Sequence, residues 1–518
     1  MISSNKTRIH PVSLLFAFVL SAISLYLTQC GKSGDQGSAE TIVARIGDKT
    51  ISQNEFIRRA EYTLRPAYCR DDNYVHKKIV LNSLIAEKLL ALEAGDDNEM
   101  TNNEEFQIYL QGRKEQAMRQ WLYAKDIHEK VKLDSAQVNR AYDLAGRTYR
   151  VAFGAVSDSS RANAIAEKVR ENHAIFEEIF APRDSARGAP QREVAWNSPE
   201  TRAVHAALFS GELKKNDIIG PLQVDEGHYL LIKIIGWSDR LAISDAQIRE
   251  RRNEVIEKLT EAKVVEDFNA YVRNLMAGKT LEFAPRTFRS LVNIVGPYYL
   301  KTSQDKQAAF NQQFWGTKEG ERELTRMGEQ IETILDEPLF RIAGETWTVR
   351  DLERAIKIHP LVFRNRNLKK GEFAEQFKLA IVDMVRDSYI TKQAYERRYD
   401  NVEAVKQNVE MWRDNLLFLY QQNRFLKSIG KNEKFNTEYA RILESDLNPY
   451  VDRLQEIYRD VIEINTGAFE AIKLTRVDMI VIQRNAPFPV VVPGFPIITT
   501  DHMLDYGRKM PASSGKEE

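Results

Sequence analysis

The chain is poor in cysteine, with 2 among 518 residues, and that scarcity excludes the disulfide framework that holds many small secreted domains together. Apolar burial must carry the fold instead. Neither charge is in excess, since 74 Lys and Arg face 74 Asp and Glu. A balanced chain offers no global electrostatic basis for binding nucleic acid, and no nucleic-acid partner is expected. Histidine is scarce as well. His10, His76, His128, His173, His205, His228, His359 and His502 form no pair at metal-ligand spacing, so neither a metal nor a cofactor is expected. No GxSxG elbow, Walker loop or GxGxxG turn is present. Beyond residue 30 no apolar run approaches the length of about 18 residues needed to span a bilayer.

What the sequence does contain begins at its N-terminus. Lys6, Arg8 and His10 precede an apolar run from Val12 to Leu27, which is the layout of a secretory signal. Leu27-Thr28-Gln29-Cys30 resembles a bacterial lipobox, with Gln29 standing where a small residue is usual. That resemblance implies a lipid on Cys30 and attachment to a membrane through it; the alternative is a plain signal peptide with an incidental cysteine. With Cys30 lipidated, only Cys69 remains and no intrachain disulfide can form. Residues 31–40 are rich in Gly, Ser and charge and suit a flexible tether. The body that follows has an ordinary globular composition, 43% hydrophobic and 29% charged, and length for about two to four domains.

Two blocks recur in the same order. "RIGDKTISQNEF" (Arg45 to Phe56) matches "RIAGETWTVRDL" (Arg341 to Leu352) without a gap, and "KIVLNSLIAEKLLALEA" (Lys78 to Ala94) matches "KLAIVDMVRDSYITKQA" (Lys378 to Ala394), at offsets of 296 and 300. The first block reads as a strand, a polar turn and a helix opened by a capping box, Ser52 with Glu55 in one copy and Thr348 with Asp351 in the other. The second reads as an amphipathic helix in both copies. Duplication explains the common order better than chance. Long helices follow in each copy, which closes on a helix carrying Phe268, Tyr271 and Leu275 in the first and Tyr450, Leu454 and Tyr458 in the second.

The first copy holds an insert of about a hundred residues, a length typical of one small domain. It opens with a strand-like "TYRVAFGAV" (Thr148 to Val156), continues with a helix bearing Ile165, Val169, Phe176 and Ile179 on one face, and crosses a polar loop to a helical piece ending at Phe209. "NDIIGPLQVDEGHYLLIKIIG" then gives two strands about a turn at Asp225-Glu226-Gly227. This order around "GP...GxxLxIKI" resembles a parvulin-type peptidyl-prolyl isomerase domain. The frame "VARIGDKTISQNEF" followed by "LNSLIAEKLLALEA" resembles the N-terminal chaperone domain of SurA and PrsA-type extracytoplasmic folding factors.

The fold implied is mainly α with an inserted α+β domain, namely two SurA N-domain-like helical units related by the internal repeat plus one parvulin-like domain. The expected boundaries are a signal peptide at 1–30, a tether at 31–40, a first helical domain at 41–147 and 241–290, the insert at 148–240, a connecting segment at 291–334, a second helical unit at 335–465 and a proline-rich extension at 466–518. Pro487, Pro489, Pro493 and Pro496 forbid regular ladder pairing there, so the extension must dock to hide its valines.

A parvulin twists an X-Pro amide against a resonance barrier of about 18 to 20 kcal/mol, which needs no cofactor. The resemblance implies a histidine in the first strand, a second in the last strand, and Met and Phe in the pocket helix. Here the first falls on Phe153. The second falls on Tyr229 if Gly227 is matched, or on Leu230 if "LIKI" is matched, and the helix positions fall on Glu200 and Val204. No polar catalytic position is clearly retained: His228 lies beside the second slot and would enter it only through a shift of register, which turns side chains to the opposite face. The expected function is that of a cell-envelope folding factor whose degenerate isomerase domain binds unfolded or partly folded polypeptides through Phe153, Trp196, Phe209 and Tyr229. An active isomerase and a structural subunit of an envelope assembly are the alternatives.

Overall fold

A computed structural model describes residues 40–181, 188–225, 227–300, 327–364, 369–475, 479, 487–500, 503 and 505–510. The signal peptide, the lipobox with Cys30 and the tether up to residue 39 lie outside the described residues. In chain order the elements are β1 (Ile42–Ile46), β2 (Lys49–Ser52), α1 (Gln53–Glu61), α2 (Tyr74–Ala94), α3 (Glu104–Leu122), α4 (Ser135–Ala145), β3 (Arg147–Val156), α5 (Ser159–Glu171), α6 (Ile175–Phe180), β4 (Gln191–Ala195), α7 (Arg202–Phe209), β5 (Ile218–Asp225), β6 (His228–Asp239) and α8 (Asp245–Leu275). They continue with β7 (Leu281–Phe283), α9 (Pro285–Tyr299), β8 (Pro338–Ile342), β9 (Glu345–Thr348), α10 (Val349–Ile358), α11 (Phe373–Glu396), α12 (Glu403–Ser428), α13 (Phe435–Ile442), α14 (Asn448–Ile457), β10 (Ile462–Ile464), α15 (Thr466–Ala471) and β11 (Arg508–Lys509). Helix predominates, with an α+β part. The described residues form two compact units, one within 126–269 and the other within 40–125 and 270–510. The expected edges of the insert at 148 and 240 therefore move outward, and the smaller unit takes in α4 and most of α8.

In the larger unit, two hairpins each lead into a helix. Ser52 accepts from the Glu55 N–H at 3.0 Å to open α1, and Thr348 forms a reciprocal capping box with Asp351 to open α10. Each hairpin gains a strand from a distant part of the chain. On β1 lies β10, antiparallel, with Ala44 opposite Ile464, Arg45 opposite Glu463 and Ile46 opposite Ile462. On β8 lies β7, with Phe340 opposite Phe283, Arg341 opposite Glu282 and Ile342 opposite Leu281. The flanking main-chain bonds agree as well. Asn465 N–H donates to Val43 O at 2.9 Å and Ala284 N–H to Leu339 O at 2.8 Å, while Gln53 N–H reaches Thr41 O and Val349 N–H reaches Glu337 O.

The helices cross between the hairpins. α12 packs on α2 and α3, whereas α3 packs on α10 and α11. The last crossing is close at Gly112, where a Cβ would come within 2.3 Å of the Ile358 carbonyl oxygen. The regions 41–147 and 335–465 therefore do not fold as separate domains. The expectation that α2 is amphipathic also fails, because every residue from Lys78 to Ala91 is buried. α12 covers the side that an amphipathic helix would give to water, and the charged residues Glu87 and Lys88 are paired. Arg59 meets Glu87, and Lys88 meets Glu55 and Asp414. The proline-rich stretch docks on this same unit, with Val492 packed among Phe106, Met411 and Trp412 and the Gly494 carbonyl accepting from Arg59 at 2.9 Å.

The smaller unit is built on an antiparallel sheet ordered β4-β3-β6-β5. Its strand β4 lies in the stretch expected to be a polar loop. Alternation along β3 gives Tyr149 and Val151 to a core shared with α4, α7 and α8, and Ala152 and Val156 to a second core with α5 and α6.

Candidate functional site

The residues singled out by the parvulin resemblance all lie in the smaller unit, and Phe153 and Tyr229 fall on opposite faces of its sheet. Phe153 continues the Tyr149 and Val151 side of β3 and packs, half-buried, against the core containing Val204, Leu208 and Leu230. Tyr229 belongs to the opposite face, beside Phe176 and Phe180. The two therefore cannot share one groove, and the pairing of Tyr229 with Phe153 is corrected. A strand turns successive side chains to opposite sides, so it is Leu230, 8% exposed, that lies on the Phe153 face. His228 is exposed at the start of β6, opposite Asp225.

Trp196 and Phe209 are corrected too. They are 3% and 4% exposed and pack edge to face at 5.2 Å, so they hold the unit together instead of offering a surface to a peptide. Between them sits His205, with Nε2 3.1 Å from the Trp196 carbonyl oxygen and its ring 4.6 Å from the indole. Burial, aided by the positive charge of Lys258, pushes its imidazole down to about 4. It is held neutral as a core residue. Val204, 1% exposed, is likewise internal.

Phe153 is half-buried and carries a charged cover. The Arg192 guanidinium lies 4.9 Å from the centre of the Phe153 ring and pairs with Glu200 at 2.8 Å. β4 supplies Arg192 and the turn before α7 supplies Glu200, a latch that the sequence reading missed because β4 was read as loop. "QREVAW" runs from three polar to three apolar residues without alternating, so it carried no strand signal of its own. Half-buried Ile219, Leu222 and Val224 from β5 pack against the same core as Phe153, and Ile232 of β6 lies directly opposite Phe153. An apolar patch under one ion pair can hold a side chain or a proline ring, and among the described residues no imidazole, thiol or hydroxyl pair is placed there for proton transfer.

Cys69, buried at 0% exposure, has its thiol pushed up to about 12 by burial despite the nearby Arg65 and Arg70, and is unreactive in the folded chain. Among the described residues no group of His, Cys, Asp and Glu is placed to hold a metal ion, and no helix is long and apolar enough to cross a membrane. No protein-family model matches the chain, and no curated protein matches it either.

Proposed function

We propose that this chain is an exported, lipid-anchored folding factor of the SurA and PrsA type, with two related helical modules and a parvulin-like domain that binds peptide without isomerising it. The observation that carries this reading is the Phe153 face. Where the family's acid and base groups would stand, this sheet has Phe153, with the Arg192 guanidinium over its ring, and on the same face the buried Leu230. The order of elements in the smaller unit, a strand, two helices, a strand, a helix and two closing strands, supports the parvulin likeness. The matching registers of β10 on β1 and β7 on β8 support duplication, with each copy lending its closing strand to the other. Weak apolar contacts repeated over several surfaces of one molecule add to useful avidity, which suits a holder of unfolded chains.

The test is a pair of assays on the chain from residue 31 onward. One measures suppression of aggregation of a chemically denatured client, the other acceleration of a proline-limited refolding phase. Suppression without acceleration is the expected result. Acceleration would make the chain an active isomerase. Failure in both, with one stoichiometric envelope partner recovered, would make it a structural subunit.

A further inference from the structure

Among the described residues, one sheet of the larger unit has a strand with no equivalent in its counterpart. β11 runs parallel to β10, with Glu463 beside Arg508 and Ile464 beside Lys509, and Met510 N–H donates to Ile464 O at 2.9 Å. Gly507 lies so near Ile462 that a Cβ would come within 2.8 Å of its side chain. Ile462 and Ile464 are accordingly 0% and 5% exposed. Lys78, projecting from α2, lies 5.9 Å from the Phe469 ring and 3.8 Å from the Asp505 carboxylate on the approaching segment.

The counterpart of β10 is β7, which holds the same register on β8. In the order β7-β8-β9, β7 is an edge, and among the described residues no strand covers it. Ala284 N–H points inward to Leu339 O. Alternation then directs the N–H and C=O of Phe283 outward, as those of Ile464 are directed toward Met510. Leu281, Phe283, Phe288 and Val292 line an open groove of about 480 Å³, and Arg289, Lys378 and Glu375 are the charged residues of its lining. Leu281 and Phe283 are half-buried where Ile464 and Ile462 are sealed. Lys378 lies 5.9 Å from the Phe283 ring and, in the aligned blocks, stands where Lys78 does.

We propose that the outer edge of β7 and the groove beside it receive an extended apolar segment of a non-native polypeptide by strand addition. The bound segment runs parallel to β7, as residues 506–510 run along β10, with a carboxylate of the guest facing Lys378 and Arg289. Main-chain hydrogen bonds make such a site tolerant of sequence, and the apolar groove selects chains whose hydrophobic side chains are uncovered. This deepens the folding-factor reading and rests on it.

The experiment places the photo-crosslinker benzoylphenylalanine at the exposed position Arg289 of the full chain and adds reduced, carboxymethylated lactalbumin, a permanently unfolded polypeptide. Crosslinks from position 289 to the added polypeptide are expected. They should fall about tenfold in Val292→Glu and be unchanged in Leu64→Glu, a change at an exposed apolar residue elsewhere. If Val292→Glu does not fold, Lys378→Glu replaces it. Crosslinks only to residues 301–326 of the same chain, only to a second copy, or to nothing overturn the proposal. Aggregation suppression measured in parallel separates the two failures: suppression without crosslinks rejects this site alone, whereas loss of suppression rejects the folding-factor reading itself.

Discussion

Arg59 and Glu87 form a two-pronged ion pair at 2.6 and 2.7 Å, with both side chains 0% exposed. The pair joins α1 to α2, while Asn415 of α12 donates to the same carboxylate at 2.8 Å and Arg59 holds the carbonyl of Gly494. A buried charge that loses its partner costs far more than the pair contributes. Arg59→Met is therefore expected to destabilise the larger unit by about 3 to 5 kcal/mol in urea unfolding. Adding Glu87→Leu should recover most of that loss, and a double variant no better than the single one would show the pair to be incidental.

The smaller unit should weaken in mild acid through His205. Its imidazole is pushed from 6.5 down to about 4, first by burial and then by Lys258, so folding favours the neutral ring. The unfolded chain takes up the proton near 6.5 and the folded chain only near 4. Stability is complete above the higher value and falls as the pH drops between the two. Urea midpoints followed by tryptophan fluorescence should show this slope, and His205→Phe should flatten it between those pH values.

Phe153→Ala tests the patch under the Arg192 and Glu200 pair. Loss of an anchoring ring of this kind costs more than about 1 kcal/mol, so affinity for an apolar peptide should fall severalfold, as read by fluorescence anisotropy. Proline-limited refolding rates should not change. A parallel drop in a measurable isomerase rate would restore the catalytic reading.

Gly507 combines a φ of +81° with close contact on Ile462. Gly507→Ala should strain the backbone by about 1 kcal/mol or more and push β11 from β10. Amide exchange at Ile464 and Met510 is the direct measure. Faster exchange there, with the smaller unit unchanged, is the expected pattern.

Much of this fold was legible where the chain carries local chemistry. Ser52 with Glu55 and Thr348 with Asp351 announce helix starts because a cap is a contact between residues three apart, and the alternation in "TYRVAFGAV" announces β3. β7 and β10 were not legible, since three residues are too few to show a period. The burial of α2 was hidden too, because what covers it, α12, lies more than three hundred positions away. For the site, sequence named Phe153 but could not choose between Tyr229 and Leu230, because a one-residue shift in register exchanges the faces of the sheet. The pairing of Phe153 with Ile232 shows that Leu230 shares the face of Phe153 and Tyr229 does not. Trp196 and Phe209 look like anchors in a one-dimensional reading, since aromatic rings serve cores and surfaces alike.

The pairing of Arg45 with Glu463 spans 418 positions. A ribosome, or a translocon passing the chain from its N-terminus, therefore delivers β1 and β2 long before β10 exists to complete their sheet. During that interval the nascent hairpin has an open flank and no native partner, and a protein read as a guardian of unfinished chains is itself unfinished in the same way until its own distant strand emerges.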